Sequence, residues 1–471
     1  MKIPLLLREM KRRDGPGSWM GAVLLLVLVS SGCSRGVGGS SGTTVPVEEM
    51  LREEVVSRLR PPEGVEVRVT PGEGVPEGRL LWRPVASLLY GVPVRLETAL
   101  TESLPEGEAW GRAVRLEEIV LPHLAARVEG RYPGEKGYPL EVRVWVGVRA
   151  DLLADPEVRG WWERVGFEAD GVSWVGVVGD VGPFGALGEV LAGPGGAQRV
   201  AGEVWEALRG VEVLLGNLEG AVTSRTGAYP KPYIFRIPEG ALRGLRELGF
   251  DWLSLANNHS WDFFEPGFLD TLRALARVGL ATSGAGRSLE EAQAWWRVRL
   301  REGWVGVLGV GAYLREDSGF DGEALAAARP GKPGILWADE RLWGAMEGER
   351  EGLRLLMVHG GLEYTDAPRE DFVRLYRTMV DHGADVVIGT HPHVLQGVET
   401  YKKGIIFYSL GNFLFPDDVD DPRAFRSVIL RLGIHKGEVR ILSPLPVVFE
   451  SGRLTIGDGG IIHPLISAPS R

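Results

Sequence analysis

Seven side chains in this sequence are of types that hold divalent metal ions: Asp180, Glu219, Asn258, His259, His359, His391 and His393. Carboxylates and amides offer hard oxygen donors. Imidazole is a borderline nitrogen donor, common around Zn, Fe, Ni and Cu. His391 and His393 stand two residues apart in GTHPHVLQ, residues 389–396, with Pro392 between them. In an extended segment, residues i and i+2 project to the same side. Pro392 restricts its own φ and the conformation of His391. The expectation is a rigid, extended pair presenting two ring nitrogens to one centre. Taken alone, the pattern reads equally well as a loop with two surface histidines.

The elements around these residues repeat one plan. Apolar runs over 174–178, 211–215, 252–256, 353–358 and 386–388 read as buried strands. They run into Asp180, into Glu219, into Asn258 and His259, into His359, and into the two histidines of the 389–396 segment. Helical spacing occupies 197–208, 241–248, 268–278 and 372–382. Alternating strands and helices imply a largely parallel sheet covered by helices. In such sheets ligands bind beyond the carboxyl ends of the strands. For one such residue, a turn residue capping the next helix is the better reading. For seven at one topological position, a shared metal site is the simpler one. Further strands over 405–408, 428–432, 439–442 and 447–450 are expected to close a second sheet against the first.

A chain of 471 residues calls for two or three domains. Its net charge of −10 argues against a nucleic-acid partner, which would need a basic face. The N-terminus reads as an export signal. Lys2, Arg8, Lys11, Arg12 and Arg13 precede an apolar run over 20–29, too short to span a bilayer. Small residues then lead to Cys33, the only cysteine in the sequence. The stretch is similar to a bacterial lipobox, with Ser30 where a leucine is usual. The alternative is an ordinary signal peptide with an incidental thiol. Cleavage before Cys33 removes five basic and two acidic residues, taking the charge from −10 to −13. No second cysteine exists for a disulfide, so metals fall to His, Asp, Glu and Asn.

The expected organisation is therefore a lipoprotein signal peptide over 1–32 and a Gly/Ser-rich tether over 33–44. An N-terminal α/β domain of unknown role follows over 45–171, and the metal-site domain over 172–471. Within the N-terminal domain, helices are expected over 47–59 and 114–128, the latter broken at Pro122. Strands are expected over 65–69 and 140–148.

Six motifs in order carry a family resemblance: GDVG at 179–182, NLEGAVT at 217–223, ANNHSWD at 256–262, HGGLEY at 359–364, GTHPHVLQ, and YSLGNFLF at 408–415. The set resembles the CapA family of poly-γ-glutamate capsule synthesis proteins, relatives of the calcineurin-like metallophosphoesterases. KPYIFR at 231–236 is similar to that family's segment before NNH. The resemblance implies a four-layer α/β/β/α metallophosphoesterase-like sandwich with a dinuclear centre of Mn, Fe or Zn. Asp180, Glu219, Asn258, His359, His391 and His393 would then be ligands. His259 would hold a phosphate oxygen or protonate a leaving group, with Asp262 as its orienting acceptor or else a helix cap. Lys231 and Arg236 are candidates for an anionic substrate, though equally solvated charges, and Glu363 and Tyr364 for lining the cleft. Ser409 and Asn412 read as turn residues. Gly182, Gly360 and Phe264 depart from the family pattern at the rim.

Three functions follow from these readings. The first is a metal-dependent hydrolase of a phosphoester or an amide-linked anionic polymer, working in capsule synthesis, export or anchoring. The second is a non-enzymatic envelope component that binds the polymer or membrane subunits of its synthase, with structural metals. A transporter's solute-binding lipoprotein is the third, and it leaves the histidines unexplained. In each the membrane is reached through a lipid anchor.

Overall fold

The computed structural model describes residues 171–347, 352–416 and 420–457 continuously, and shorter stretches between 66 and 169. The export signal, the tether and the expected 47–59 helix lie outside the described residues. Thirteen strands build the main body. In chain order they begin with β1 Ser173–Val181, β2 Val213–Leu218, β3 Phe250–Ser254, β4 Trp296–Leu300, β5 Gly303–Gly311 and β6 Leu353–His359. There follow β7 Val386–Thr390, β8 Val398–Tyr401, β9 Gly404–Phe407, β10 Asn412–Leu414, β11 Arg426–His435, β12 Glu438–Glu450 and β13 Arg453–Ile456.

These strands form two sheets where the sequence reading has the metal-site strands in one. The first has the order β3-β2-β1-β11-β12-β13, and the second β4-β5-β6-β7-β9-β8. The first three strands of one and the β5, β6, β7 and β9 series of the other run parallel. The tail strands divide between the sheets: β9 joins the second, while β11 extends the first antiparallel to β1 and β12 pairs antiparallel to β11.

Side-chain alternation within each strand explains the layering. Val175, Val177 and Leu215 of the first sheet share one buried cluster with Val307, Leu355, Ile388 and Phe407 of the second. Their neighbours face outward. Leu214, Leu218 and Phe250 pack under helices α1 Gly185–Ala192, α2 Glu239–Leu248 and α3 Phe264–Val278. On the far side Leu356, Val358 and Val387 pack under α4 Glu370–Asp381 through Phe372, Tyr376 and Met379. The result is the four-layer α/β/β/α sandwich.

The N-terminal part has a sheet of its own, with Glu141–Val148 antiparallel to both Glu66–Pro71 and Leu81–Gly91. The helix Pro156–Arg164 accompanies it. The expected 114–128 helix is absent. That stretch is a run of short strands with a single 3-10 turn, Leu116–Glu118, whose apolar residues Leu116, Leu124, Ala125, Ala126 and Val128 are buried. They join the same cluster as Leu432 and Ile441. Helical spacing was a coincidence of a stretch buried on several sides. The expected 197–208 helix is also broken, at Gly202 with φ 51°.

Candidate metal centre

Strand register aligns the donors. Asp180 of β1 lies opposite Asn217 of β2 on one side and Asn412 of β10 on the other. In the second sheet His359 of β6 lies opposite Thr390 of β7. The segment 408–411 crosses both rows at close range. A Cβ on Gly179 would sit 1.9 Å from the Gly411 carbonyl oxygen, and one on Gly389 would sit 2.0 Å from that of Tyr408. Only glycine permits this approach, and each glycine stands just ahead of a donor segment.

Asp180, Glu219, Asn258, His359, His391 and His393 all come together, each buried. Glu219 is the hub. His359 Nε2 lies 3.8 Å from its Oε1, and the Nε2 atoms of His393 and His259 each lie 3.9 Å away. His359 Nδ1 and His393 Nδ1 approach Asp180 at 3.9 and 3.6 Å. Two three-residue sets have their ligand atoms within 4.8 Å of one another: Asp180, Glu219 and His359, and Glu219, His391 and His393. Glu219 belongs to both.

The His391-Pro392-His393 segment is not extended. His391 has φ 95° and His393 φ 59°, so the backbone turns left-handed at both. Non-glycine residues adopt such a conformation at a cost of about 1–3 kcal/mol, and it clusters at functional sites. The turn sets the two ring centroids 6.0 Å apart. It also turns the His391 amide to donate to Asp180 Oδ2 at 3.2 Å.

Hydrogen bonds fix the rings. His393 Nδ1 donates to Asn412 Oδ1 at 2.8 Å, which leaves Nε2 as the free lone pair. Asn217 Nδ2 donates to Asp180 Oδ1 at 2.8 Å and to His359 Nδ1 at 3.1 Å, tying the two sheets together. His359 Nε2 then faces Asn258 Oδ1 at 2.9 Å. Asn257 supports the amide row, donating to Asn217 Oδ1 at 3.1 Å. His259 Nδ1 donates to Asp262 Oδ2 at 2.9 Å, and Phe235 stacks on its ring at 3.9 Å.

Burial drives both donor classes toward neutrality. It raises Asp180, and it pushes Glu219 well above the usual carboxylate range, with the charges of Asp180 and Glu363 adding to it. Burial also depresses His259, His359 and His391, the last two strongly. Both oxygens of Glu219 and the Nδ1 of His391 lack a hydrogen-bond partner. Buried polar atoms without partners are rare in proteins. Carboxylate oxygens and neutral imidazole nitrogens converging on one space are what a divalent cation takes. The residues therefore fit a metal centre.

The remaining predicted residues are placed differently. Lys231 is buried, ion-paired to Asp262 Oδ1 at 2.8 Å and Glu316 Oε1 at 3.2 Å, and it donates to the Asn258 carbonyl at 3.1 Å. It supports the site from behind. Arg236 is exposed and donates to the Arg225 carbonyl at 3.2 Å. Glu363 is exposed, and the half-buried Tyr364 ring lies 5.8 Å from His393. Cys33 lies outside the described residues. Ser409 Oγ accepts from the Gly411 amide at 3.1 Å, within a turn. At Gly182, which departs from the family pattern, a Cβ would meet Phe415 ring atoms at 2.7 Å, so the packing there favours glycine.

Sequence reasoning missed three residues that shape the site, Asn217, Asn257 and Glu316, and read a fourth, Asn412, as a turn residue where it accepts from His393. Asn217 was within reach, because it stands two residues before Glu219, at the end of the strand that leads into it. Glu316, which accepts from Asn258 Nδ2 at 3.1 Å, comes from a loop with no local signal.

A buried metal-ligand cradle shared by the carboxyl edges of two sheets defines the class of this protein. The chain belongs to the family described as "Bacterial capsule synthesis protein PGA_cap", which matches residues 175–417. It is 32% identical over 252 residues to the PGA biosynthesis protein CapA of Bacillus subtilis (strain 168), covering 52% of this chain and 64% of that protein. It is 32% identical over 220 residues to the capsule biosynthesis protein CapA of Bacillus anthracis, covering 45% of this chain and 51% of that one. The chain thus spans less than two thirds of these relatives' length. Among solved structures, a hypothetical protein from Thermus thermophilus aligns over 59% of this chain and all of its own, at 16% identity and TM-score 0.38. A 5'-nucleotidase from Candida albicans aligns over 59% of this chain and 52% of its own, at 9% identity and TM-score 0.34. The layer order given above rests on this chain's own strand pairing.

Proposed function

We propose that this chain is an exported, lipid-anchored envelope protein whose cradle holds two divalent ions, of Mn, Fe or Zn. It hydrolyses a phosphoester or an amide-linked anionic polymer in poly-γ-glutamate capsule synthesis, export or anchoring, alongside membrane subunits of the synthase. One observation carries the reading: Glu219 lies in both donor sets with neither oxygen hydrogen-bonded.

Asp180, Glu219, Asn258, His359, His391 and His393 would hold the ions. Bound there, two cations would offset charge developing on a phosphoryl or carbonyl oxygen and acidify a water. The other residues act on protons and orientation. With its Nδ1 proton engaged by Asp262, His259 can take a proton on Nε2 and return it to a leaving group. Asp262 steadies the imidazolium, and Lys231 balances Asp262. Phe235 covers the ring and keeps water from it. Glu363 and Tyr364 stand where a substrate would enter.

The test is metal analysis of purified protein with a phosphodiester assay, repeated on Asp180→Ala and His391→Ala. Bound metal and turnover in the parent, lost in both variants, is the expected result; no metal and no difference in activity rejects the reading. Anchoring is tested by palmitate labelling in cells, which Cys33→Ala should abolish. No helix among the described residues is long and apolar enough to cross a membrane.

A further inference from the structure

Away from the cradle, a cleft of about 930 Å³ is lined by four arginines, Arg225, Arg236, Arg273 and Arg277. It connects to the metal centre through a two-stranded ladder that pairs Ala221 with Arg236 and Val222 with Ile237. One end of this ladder, Ala221 with Arg236, continues from Glu219 and Phe235 in the cradle, and the other, Val222 with Ile237, leads to Thr223 and Pro238 on the cleft lining.

The guanidinium groups are set in place before any ligand arrives. Asp270 is the pin: it accepts from Thr223 Oγ1 at 2.7 Å, from Arg225 Nε at 2.7 Å and from Arg273 Nη2 at 2.5 Å. Arg277 Nε is held by Glu239 at 2.9 Å. Arg236 has no carboxylate within ion-pair reach among the described residues. The third carboxylate on the lining, Glu189, leaves four positive groups facing three negative ones. The side chains of Arg225, Arg273 and Arg277 remain 47%, 49% and 55% exposed, with donors left over. Each guanidinium has five donors in a rigid fork suited to carboxylate.

Spacing selects the ligand. Arg273 and Arg277 are four residues apart on α3 and share a face, and Asp270 links that row to Arg225. A row suits a chain with repeating charges better than a single compact anion, for which the donors would have to converge. The chain as a whole carries −10, against which a lining with more arginines than carboxylates is a place for an anion to settle.

We propose that the cleft is a subsite for polycarboxylate, holding a stretch of anionic polymer that runs away from the metal cradle. Only the link to bond cleavage rests on the hydrolase reading; polymer binding stands by itself. The experiment is fluorescence anisotropy with a short, end-labelled poly-γ-glutamate chain on the full protein, with metal content assayed on the same preparations. Arg273→Glu/Arg277→Glu should weaken binding by about tenfold or more and flatten its salt dependence. The gentler Arg273→Gln/Arg277→Gln guards against misfolding and should weaken it less. Arg374→Glu, on α4 in the opposite outer layer, should bind like the parent. Parent-like binding by both cleft pairs overturns the proposal. So does polyphosphate binding with poly-γ-glutamate left unbound, because the site would then select phosphate. Binding that depends on the arginines in protein without metal supports the subsite while rejecting the hydrolase.

Discussion

The two sheets bring opposite chemistries to one cradle. The carboxyl edge of the first supplies oxygen: Asp180, Asn217, Glu219, Asn257 and Asn258. The edge of the second supplies nitrogen: His359, His391 and His393. His259 is the exception, an imidazole on the oxygen side, and it is turned onto Asp262. Neither edge alone makes a site for a divalent ion of borderline softness. The difference teaches why the pocket is poised for metal. Burial holds the carboxylates too high and the imidazoles too low. A cation reverses the first penalty and makes use of the second, since neutral imidazole is the form that ligates.

The sharpest way to break this division is Glu219→Gln, which removes the charge and one of the two oxygens of the residue shared by both sets while keeping the shape. On the proposed function, we expect bound metal to be lost and any phosphodiester turnover to fall by about a thousandfold or more. Stripped of metal by a chelator, the variant should melt no lower than the parent, because a buried, unpaired carboxylate costs stability. A parent-like metal content would show that the two edges do not meet at this residue.

Next in size is Lys231→Met, on the oxygen side. It leaves the buried Asp262 and the half-buried Glu316 without their cation and should cost about 3–5 kcal/mol in denaturant unfolding. An unchanged midpoint would place Lys231 among solvated charges after all. On the nitrogen side Asn412→Ala frees the His393 ring. Its metal affinity, read by chelator competition, should fall by about 10–100-fold with the fold intact. The smallest effect is expected from Glu316→Gln. It keeps an acceptor for Asn258 Nδ2 but weakens the Lys231 pair, so it should lower unfolding stability by about 1 kcal/mol with metal content unchanged.

Much of the oxygen and nitrogen division was legible in the sequence, because each donor follows an apolar run short enough to be a buried strand. The partition into two sheets was not. Strand order is set by contacts between distant segments, and nothing local to 353–359 says that it pairs with β5 and not with β1. The tail strands expected separately over 439–442 and 447–450 are one: β12 runs from Glu438 to Glu450 through Pro444 and Pro446. They pair with Leu430 and Val428 on one side, and β13 covers the other side only from Val447 onward. A missing amide hydrogen costs nothing where that edge is open. The left-handed histidines were hidden for another reason. Proline favours an extended predecessor, whereas the turn is tied to distant segments, through the His391 amide on Asp180 and His393 Nδ1 on Asn412.

That turn narrows the ways in which the site can change over time. Among ordinary side chains, asparagine and aspartate tolerate positive φ best, with histidine close behind. A replacement at His391 or His393 that keeps both the backbone and a ligand atom is therefore an oxygen for a nitrogen. Each such exchange hardens the pocket and moves its preference from Zn or Fe toward Mn or Mg. Drift at two backbone-constrained positions would thus retune which ion is recruited before it dismantled the site.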